Sequence, residues 1–246
     1  MFRSSPWLWI LALVAAGLAL CALEILRESW IARKVEALSG AGPIGARCAL
    51  GAPAEGARPR LYLIGDSTMS RWPPGLIDAN WDVVNCGMGG ETTAHLLRRI
   101  DNFDFVRSKD VVLIAAGLND LVAATFIGPA GADKAIEQTS RHLSELAQAA
   151  GARGRLVLLA TVVPPSRPSL IRLPVWKESL RDFVARVNEK TRTAGGDRKI
   201  AIVDFAAALE TNDRRTPDAF RRDTLHLNAS GYSRLAETLN KTLPVR

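Results

Sequence analysis

The sequence predicts an α/β fold: a three-layer α/β/α sandwich around a five-stranded parallel sheet, with an N-terminal transmembrane helix. Three observations predict it. Short apolar runs alternate with helical stretches along the last three quarters of the chain. Those runs are mostly apolar residue after residue, as in strands buried on both faces. Near the N-terminus, seventeen consecutive residues, Trp7 to Leu23, carry no charge. Strands separated by helices imply a parallel sheet with right-handed crossovers.

The first element is the uncharged stretch. As a helix it spans about 25 Å, and its flanks extend it towards the hydrocarbon thickness of a bilayer. Trp7 and Trp9 suit the membrane interface. A cleaved signal peptide is the alternative, but the run is long for one and no clear A-x-A site follows. Cys21 lacks the small residue before it that a lipoprotein site needs. An uncleaved single-pass anchor is therefore expected, with the catalytic domain extracytoplasmic. Arg27, Arg33 and Lys34 against Arg3 would by themselves keep the C-terminal side in the cytoplasm, so both orientations stay open.

Residues 24–38 read as a juxtamembrane helix with Leu26, Trp30, Val35 and Leu38 near one stripe. The expected organisation is an anchor and juxtamembrane helix over 1–38, a flexible Gly/Ala/Pro linker over 39–59, and one catalytic domain over 60–246. In that domain the expected strands are 61–65, 81–85, 110–116, 155–163 and 199–204. The expected helices are 92–100, 132–150, 174–192 and 229–242. There is no internal repeat.

Composition narrows the partners. The 246 residues carry a formal net charge of +7 and 48% hydrophobic residues. A basic surface attracts phospholipid head groups or acidic polymers. Zinc-finger spacing, aromatic RNA motifs and dense Lys/Arg runs are all missing, so nucleic acid is not an expected partner. Cys21, Cys48 and Cys86 form neither a CxxC nor an even-numbered framework. A Cys48–Cys86 bridge stays open, although nothing in the spacing asks for it. No metal or cofactor is expected.

In a parallel sheet, ligands bind beyond the carboxyl ends of the strands. Strand one ends in Gly65-Asp66-Ser67, strand two in "NCGMGGETT" (85–93), and strand three in "GLND" (117–120). "DTLHLNASGY" (223–232) follows the last strand. A serine hydroxyl needs a base to accept its proton. His226 can do so near neutral pH, and Asp223, three residues earlier, can orient it. Ser67 opens a helix, so its N–H is free of the helix ladder. Gly90 lets an N–H approach closely, and Asn119 carries an amide donor. Those three are the expected oxyanion hole. Asp66 is read as shaping the turn. His95 and His142 fall in predicted helices and read as surface or packing residues. The stretches 164–176 and 121–131 are candidate pocket walls, with Leu170, Ile171 and Trp176 as candidate contacts.

These blocks resemble the SGNH or GDSL-type hydrolases over about residues 60–243. Gly65-Asp66-Ser67 is similar to the first block, with Thr68 where Leu is often found. Asn85-x-Gly87-x-Gly89-Gly90-x-Thr92 is similar to the second, Gly117-x-Asn119-Asp120 to the third, and Asp223-x-x-His226 to the last. The resemblance implies an SGNH/flavodoxin-like sheet. It also implies a serine esterase that works through an acyl-enzyme, with Gly90 as the oxyanion glycine. The expected substrate is an acylated small molecule, a lipid or an acetylated polysaccharide. Two alternatives stay open: an O-acyltransferase or deacetylase acting on cell-envelope polysaccharide, and a non-catalytic carbohydrate- or lipid-binding module. Oligomeric state is not legible.

Overall fold

A computed structural model describes residues 6–42, 48, 58–100, 109–152, 156–194 and 199–244. Five parallel strands form its centre: β1 (Arg60–Gly65), β2 (Asp82–Asn85), β3 (Val111–Ala115), β4 (Leu156–Ala160) and β5 (Ile200–Val203). Their order is β2-β1-β3-β4-β5. The chain leaves β1 towards one edge and returns to pair β3 on the other side of it. The carboxyl ends of β1 and β3 therefore flank the point where the winding reverses, which is where such sheets bind ligands. Ile64 is in register with Ile114, and Gly65 with Ala115.

Strands β1, β3 and β4 bury both faces because alternate residues enter different layers, while the edge strand β2 is only half-buried, with Val83 exposed. Tyr62, Ile64, Val112 and Ile114 pack beneath helices α3 (Thr93–Arg99), α4 (Leu118–Ala124), α5 (Gly128–Gly151) and α6 (Ser179–Thr193), against Leu96, Leu121, Ile136 and Val184. Leu61, Leu63 and Leu113 face the opposite layer, where α2 (Ser67–Ser70), α7 (Phe205–Leu209) and α8 (Ala229–Thr242) supply Met69, Phe205 and Leu235. Asn228 caps α8 by accepting the Gly231 N–H at 3.0 Å. Tyr232, one turn on, donates its hydroxyl to the Thr68 carbonyl at 3.0 Å, which joins α8 to α2.

All five expected strands form: β1 begins one residue early, at Arg60, and the other four are shortened at their ends. The helix expected from 132 starts at Gly128, because Pro129 suits a first turn whose N–H needs no partner. The helix expected from 174 starts at Ser179. A separate 3-10 turn, Leu170–Val175, precedes it. The loop expected from 121 is largely helix, since α4 already begins at Leu118.

Helix α1 runs from Pro6 to Glu36. Its apolar part is long enough to cross a membrane, and none of that apolar window is buried inside the protein. A signal sequence has the same composition. The other end of α1 packs on the domain. Trp30 meets the edge of Phe126 with ring centroids 5.8 Å apart. Trp30, Lys34, Val35 and Leu38 are half-buried, while Leu26 is exposed.

The stretch read as a flexible linker is held where it begins. Thr92 Oγ1 donates to the Ala37 carbonyl at 2.8 Å. His95 accepts the Thr92 N–H at Nδ1, which puts its proton on Nε2, and Nε2 donates to the Ala41 carbonyl at 2.8 Å. Arg98 donates to the Gly40 carbonyl. Cys48 and Cys86 form a disulfide with Cα atoms 5.4 Å apart, a pairing that the spacing did not call for. Residues 43–47 and 49–57 of that stretch lie outside the described residues.

Candidate active site

Ser67 sits where β1 turns into α2. Gly65 makes the turn possible: its φ is +155°, and a Cβ there would fall on the Ala115 carbonyl oxygen. Asp66 caps the short helix, accepting the Thr68 N–H at 2.8 Å. Ser67 therefore begins a helix, and its N–H has no acceptor among the described residues.

His226 lies in the turn before α8. Its Nε2 is 3.1 Å from Ser67 Oγ. Its Nδ1 is 2.9 and 2.8 Å from the two carboxylate oxygens of Asp223. The half-buried Asp223 also accepts the N–H groups of Leu225 at 2.9 Å and His226 at 3.1 Å. Burial works to raise the Asp223 pKa. The Leu225 N–H and then the His226 side chain outweigh it and hold the carboxyl below its ordinary range. The three-residue spacing thus closes one turn that grips the imidazole from its own carboxylate.

The loop after β2 carries Gly90, whose φ is +87° and where an added Cβ would meet no atom within 4 Å; its N–H has no acceptor among the described residues. Beneath it, Arg99 donates to the Cys86 carbonyl at 2.9 Å and to Glu91 at 2.6 Å, a buried pair. Burial pushes the Glu91 carboxyl up against the pull of Arg99. Thr93 donates its N–H and its hydroxyl to Asp120. Burial raises Asp120 to about 7 and Asp66 to about 6.

Asn119 stands in the first turn of α4, not in a free turn. Its Nδ2 donates to the Glu91 carbonyl at 3.0 Å. Its Oδ1 accepts from Lys34 Nζ, also at 3.0 Å, across 85 positions of sequence. Lys34 in turn lies 5.9 Å from the centre of the Trp30 ring. The lysine pKa is lowered, first by burial and then by the Arg172 charge.

A hollow of about 250 Å³ joins these groups. Ser67, His226, Gly90 and Asn119 line it, with Trp30, Lys34, Arg71 and Arg172 as further walls. All of the residues that the sequence singled out for chemistry are therefore together. Leu170 and Ile171 are not among the lining residues; they are 85% and 91% exposed. Trp176 lines an adjoining hollow instead. Val122, from the second expected wall, does line the main one. Arg172, from the first expected wall, lines it too; Trp30, Lys34 and Arg71 were not anticipated. The signal for Trp30 was a helical stripe, which any packed helix shows, and Lys34 stood out only as a charge flanking the apolar stretch. His95 and His142 serve packing: His142 Nδ1 is 3.0 Å from Thr93 Oγ1. Among the described residues, no His/Cys/Asp/Glu group could hold a metal ion.

Solved structures share this fold. A Streptococcus pneumonia protein provisionally described as a platelet activating factor is 19% identical, with 90% of this chain and 97% of that chain covered at a TM-score of 0.65. A GDSL-like lipase from Bacteroides thetaiotaomicron is 20% identical, covering 79% and 92% at 0.64. A catalytic mutant of an acetylxylan esterase from Geobacillus stearothermophilus is 18% identical, covering 74% and 93% at 0.55. No curated protein matches the chain. The model of the GDSL-like lipase/acylhydrolase family matches residues 54–234, most of the chain, and the protein belongs to that family of ester-hydrolysing enzymes.

Proposed function

We propose that the protein hydrolyses short-chain carboxylic esters through an acyl-enzyme at Ser67. The observation that carries this is the unbroken contact chain Ser67–His226–Asp223 opening into the hollow. Ser67 Oγ attacks the acyl carbonyl while His226 Nε2 takes its proton. Asp223 holds the Nδ1–H and stabilises the imidazolium. The oxyanion receives the N–H groups of Ser67 and Gly90 and the second Nδ2 hydrogen of Asn119. His226 returns the proton to the departing alcohol. It then activates a water that releases the acid and restores Ser67.

Lys34 acts as a positioning residue. A lysine can only donate, so its bond to Oδ1 fixes which end of the Asn119 amide faces Glu91 and the hollow. The acyl group is short because the hollow is smaller than the 300–1,000 Å³ typical of drug-sized ligand sites. That two structural neighbours are acetylxylan esterases is consistent with an acetyl-sized acyl group. Helix α1 carries Trp30 about 10 Å beyond the end of the apolar stretch, so the enzyme works next to the membrane that α1 enters. The Cys48–Cys86 disulfide supports an extracytoplasmic domain, because such bonds persist in oxidising compartments.

The test uses the full chain in neutral detergent, since Trp30 and Lys34 line the hollow. Wild type is expected to release p-nitrophenol from the acetate faster than from the palmitate, and to label at Ser67 with a fluorophosphonate. Ser67→Ala is expected to lose about 10⁴–10⁶ in kcat. Labelling at another residue, or equal rates for the two proteins, would sink the proposal.

A further inference from the structure

Three cationic side chains converge on the hollow, and among the described residues no carboxylate lines it. Lys34 comes from α1, Arg71 from the residue that closes α2, and Arg172 from the 3-10 turn before α6. They belong to segments far apart in sequence, so no local repeat of basic residues accounts for their meeting. Several other arginines of the described surface are paired, Arg186 with Asp133, Arg192 with Asp204, Arg215 with Glu178 and Arg221 with Asp218, while Arg33, Arg167 and Arg222 stand in solvent without such a partner among the described residues, away from the hollow lining. Among the described residues, Lys34, Arg71 and Arg172 make no such pair. The acids whose charge reaches Lys34 are Asp66 and Asp120, both buried behind the hollow.

Like charges gathered in a partly desolvated site repel, and they persist where a ligand of opposite charge completes the site. Arg172 and burial both work against the protonated form of Lys34; a bound anion relieves both. Two guanidinium groups also present planar forks of donors that match a carboxylate or a phosphate.

We propose that the hollow contains an anion subsite formed by Lys34, Arg71 and Arg172, and that the substrates are short-chain esters bearing a carboxylate or phosphate near the scissile carbonyl. This rests on the hydrolase reading above for the reaction, but not for the binding. The anion is either a sugar carboxylate, as in an acetylated uronate, or a phosphate, as in a glycerophosphate head group.

Two experiments on the full chain in neutral detergent test it. In the first, acetate release is compared between O-acetylglucuronate and its methyl ester, and between acetylglycerol phosphate and acetylglycerol. At least one anionic ester is expected to exceed its neutral partner about tenfold or more in kcat/KM. The pair showing the larger ratio identifies the source of the anion. The ratio is expected to fall with added salt, to fall towards one in Arg71→Gln/Arg172→Gln, and to be restored in part by Arg71→Lys/Arg172→Lys, which keeps the charge without the fork and also guards against misfolding. Equal kcat/KM within both pairs, or a preference that survives the double glutamine variant, would overturn the subsite while leaving a Ser67-dependent esterase intact. In the second, Ser67→Ala is titrated calorimetrically with glucuronate, methyl glucuronate, glycerol 3-phosphate and glycerol. Tighter binding of a charged member supports the subsite even if no ester is turned over. No preference in either pair refutes it.

Discussion

The strand-end loops and the docked end of α1 build one hollow in opposite ways. Ser67, Gly90 and Asn119 are placed by the sheet itself, each within a few residues of a strand end. Lys34 and Trp30 reach the same hollow from a helix that never joins the sheet, held by Phe126, the Thr92–His95 end of α3 and, beyond the helix, a disulfide. The first region is fixed by the core. The second is fixed only by its contacts, so it can be removed without removing the core. The contrast teaches that chemistry and substrate access can be carried by elements of very different robustness.

Breaking the first region should cost most. Asn119→Ala removes one expected oxyanion donor and leaves the Lys34 ammonium without its acceptor. A loss of about 10²–10³ in kcat is expected, or roughly 2.7–4 kcal/mol, with the fold retained by circular dichroism. A KM effect alone would remove Asn119 from the transition state.

The same region carries a pH signature. Asp120 has a folded pKa of about 7 and Asp66 of about 6, against an ordinary aspartate value of 3.8. Between pH 4 and 7 the unfolded chain therefore holds fewer protons than the native one, and stability falls as pH rises. Above pH 7 this contribution levels off. Asp223 and Asp204, whose pKa values are lowered, act in the opposite direction, losing stability at acid pH. Asp120→Asn should flatten the decline in Tm between pH 6 and 7 and leave part of the decline below pH 6 to Asp66. A parallel Tm profile for the two proteins would show that Asp120 is ionised throughout.

The second region can be loosened covalently. The Cys48–Cys86 bridge closes a loop of 38 residues. Cys48→Ser should lower unfolding stability by about 2–4 kcal/mol, read as a fall in Tm that dithiothreitol reproduces in the wild type and not in the variant. If reduction leaves the Tm of the wild type unchanged, the bridge contributes nothing to the domain.

What was legible follows the same division. The sheet could be read because each strand is a short apolar run with a helix between it and the next. The residues grouped for chemistry could be read because a parallel sheet delivers all its strand ends to one edge. Asp223 and His226 could be read because their contact is local. Lys34, Arg71 and Arg172 could not, since a cation on a helix face or at a turn looks like any solvated charge until the fold brings it beside Ser67. The Cys48–Cys86 contact was hidden for a related reason: it depends on the path of the stretch after α1, and composition alone made that stretch look free. Leu170 and Ile171 misled because apolar residues near an active edge need not point into it; in the 3-10 turn, Arg172 does so instead.

The smallest expected effect is the most direct test of the contrast. Lys34→Met keeps the aliphatic stem beside Trp30 but removes the donor to Asn119 Oδ1. The amide then gains freedom to turn its oxygen towards the hollow, where it repels a developing oxyanion. On a neutral ester, chosen so that loss of the cation does not weaken substrate binding, kcat should fall about tenfold, or 1.4 kcal/mol, with little change in KM. Lys34→Arg, which can still donate, should recover part of the loss. A chain trimmed to residues 60–246 lacks Trp30, Lys34 and Cys48 together, and should lose at least as much activity as Lys34→Met. If Lys34→Met matches the wild type on neutral esters while the trimmed chain is impaired, the helix supports the site through packing alone, and Asn119 is held by Glu91 without help from α1.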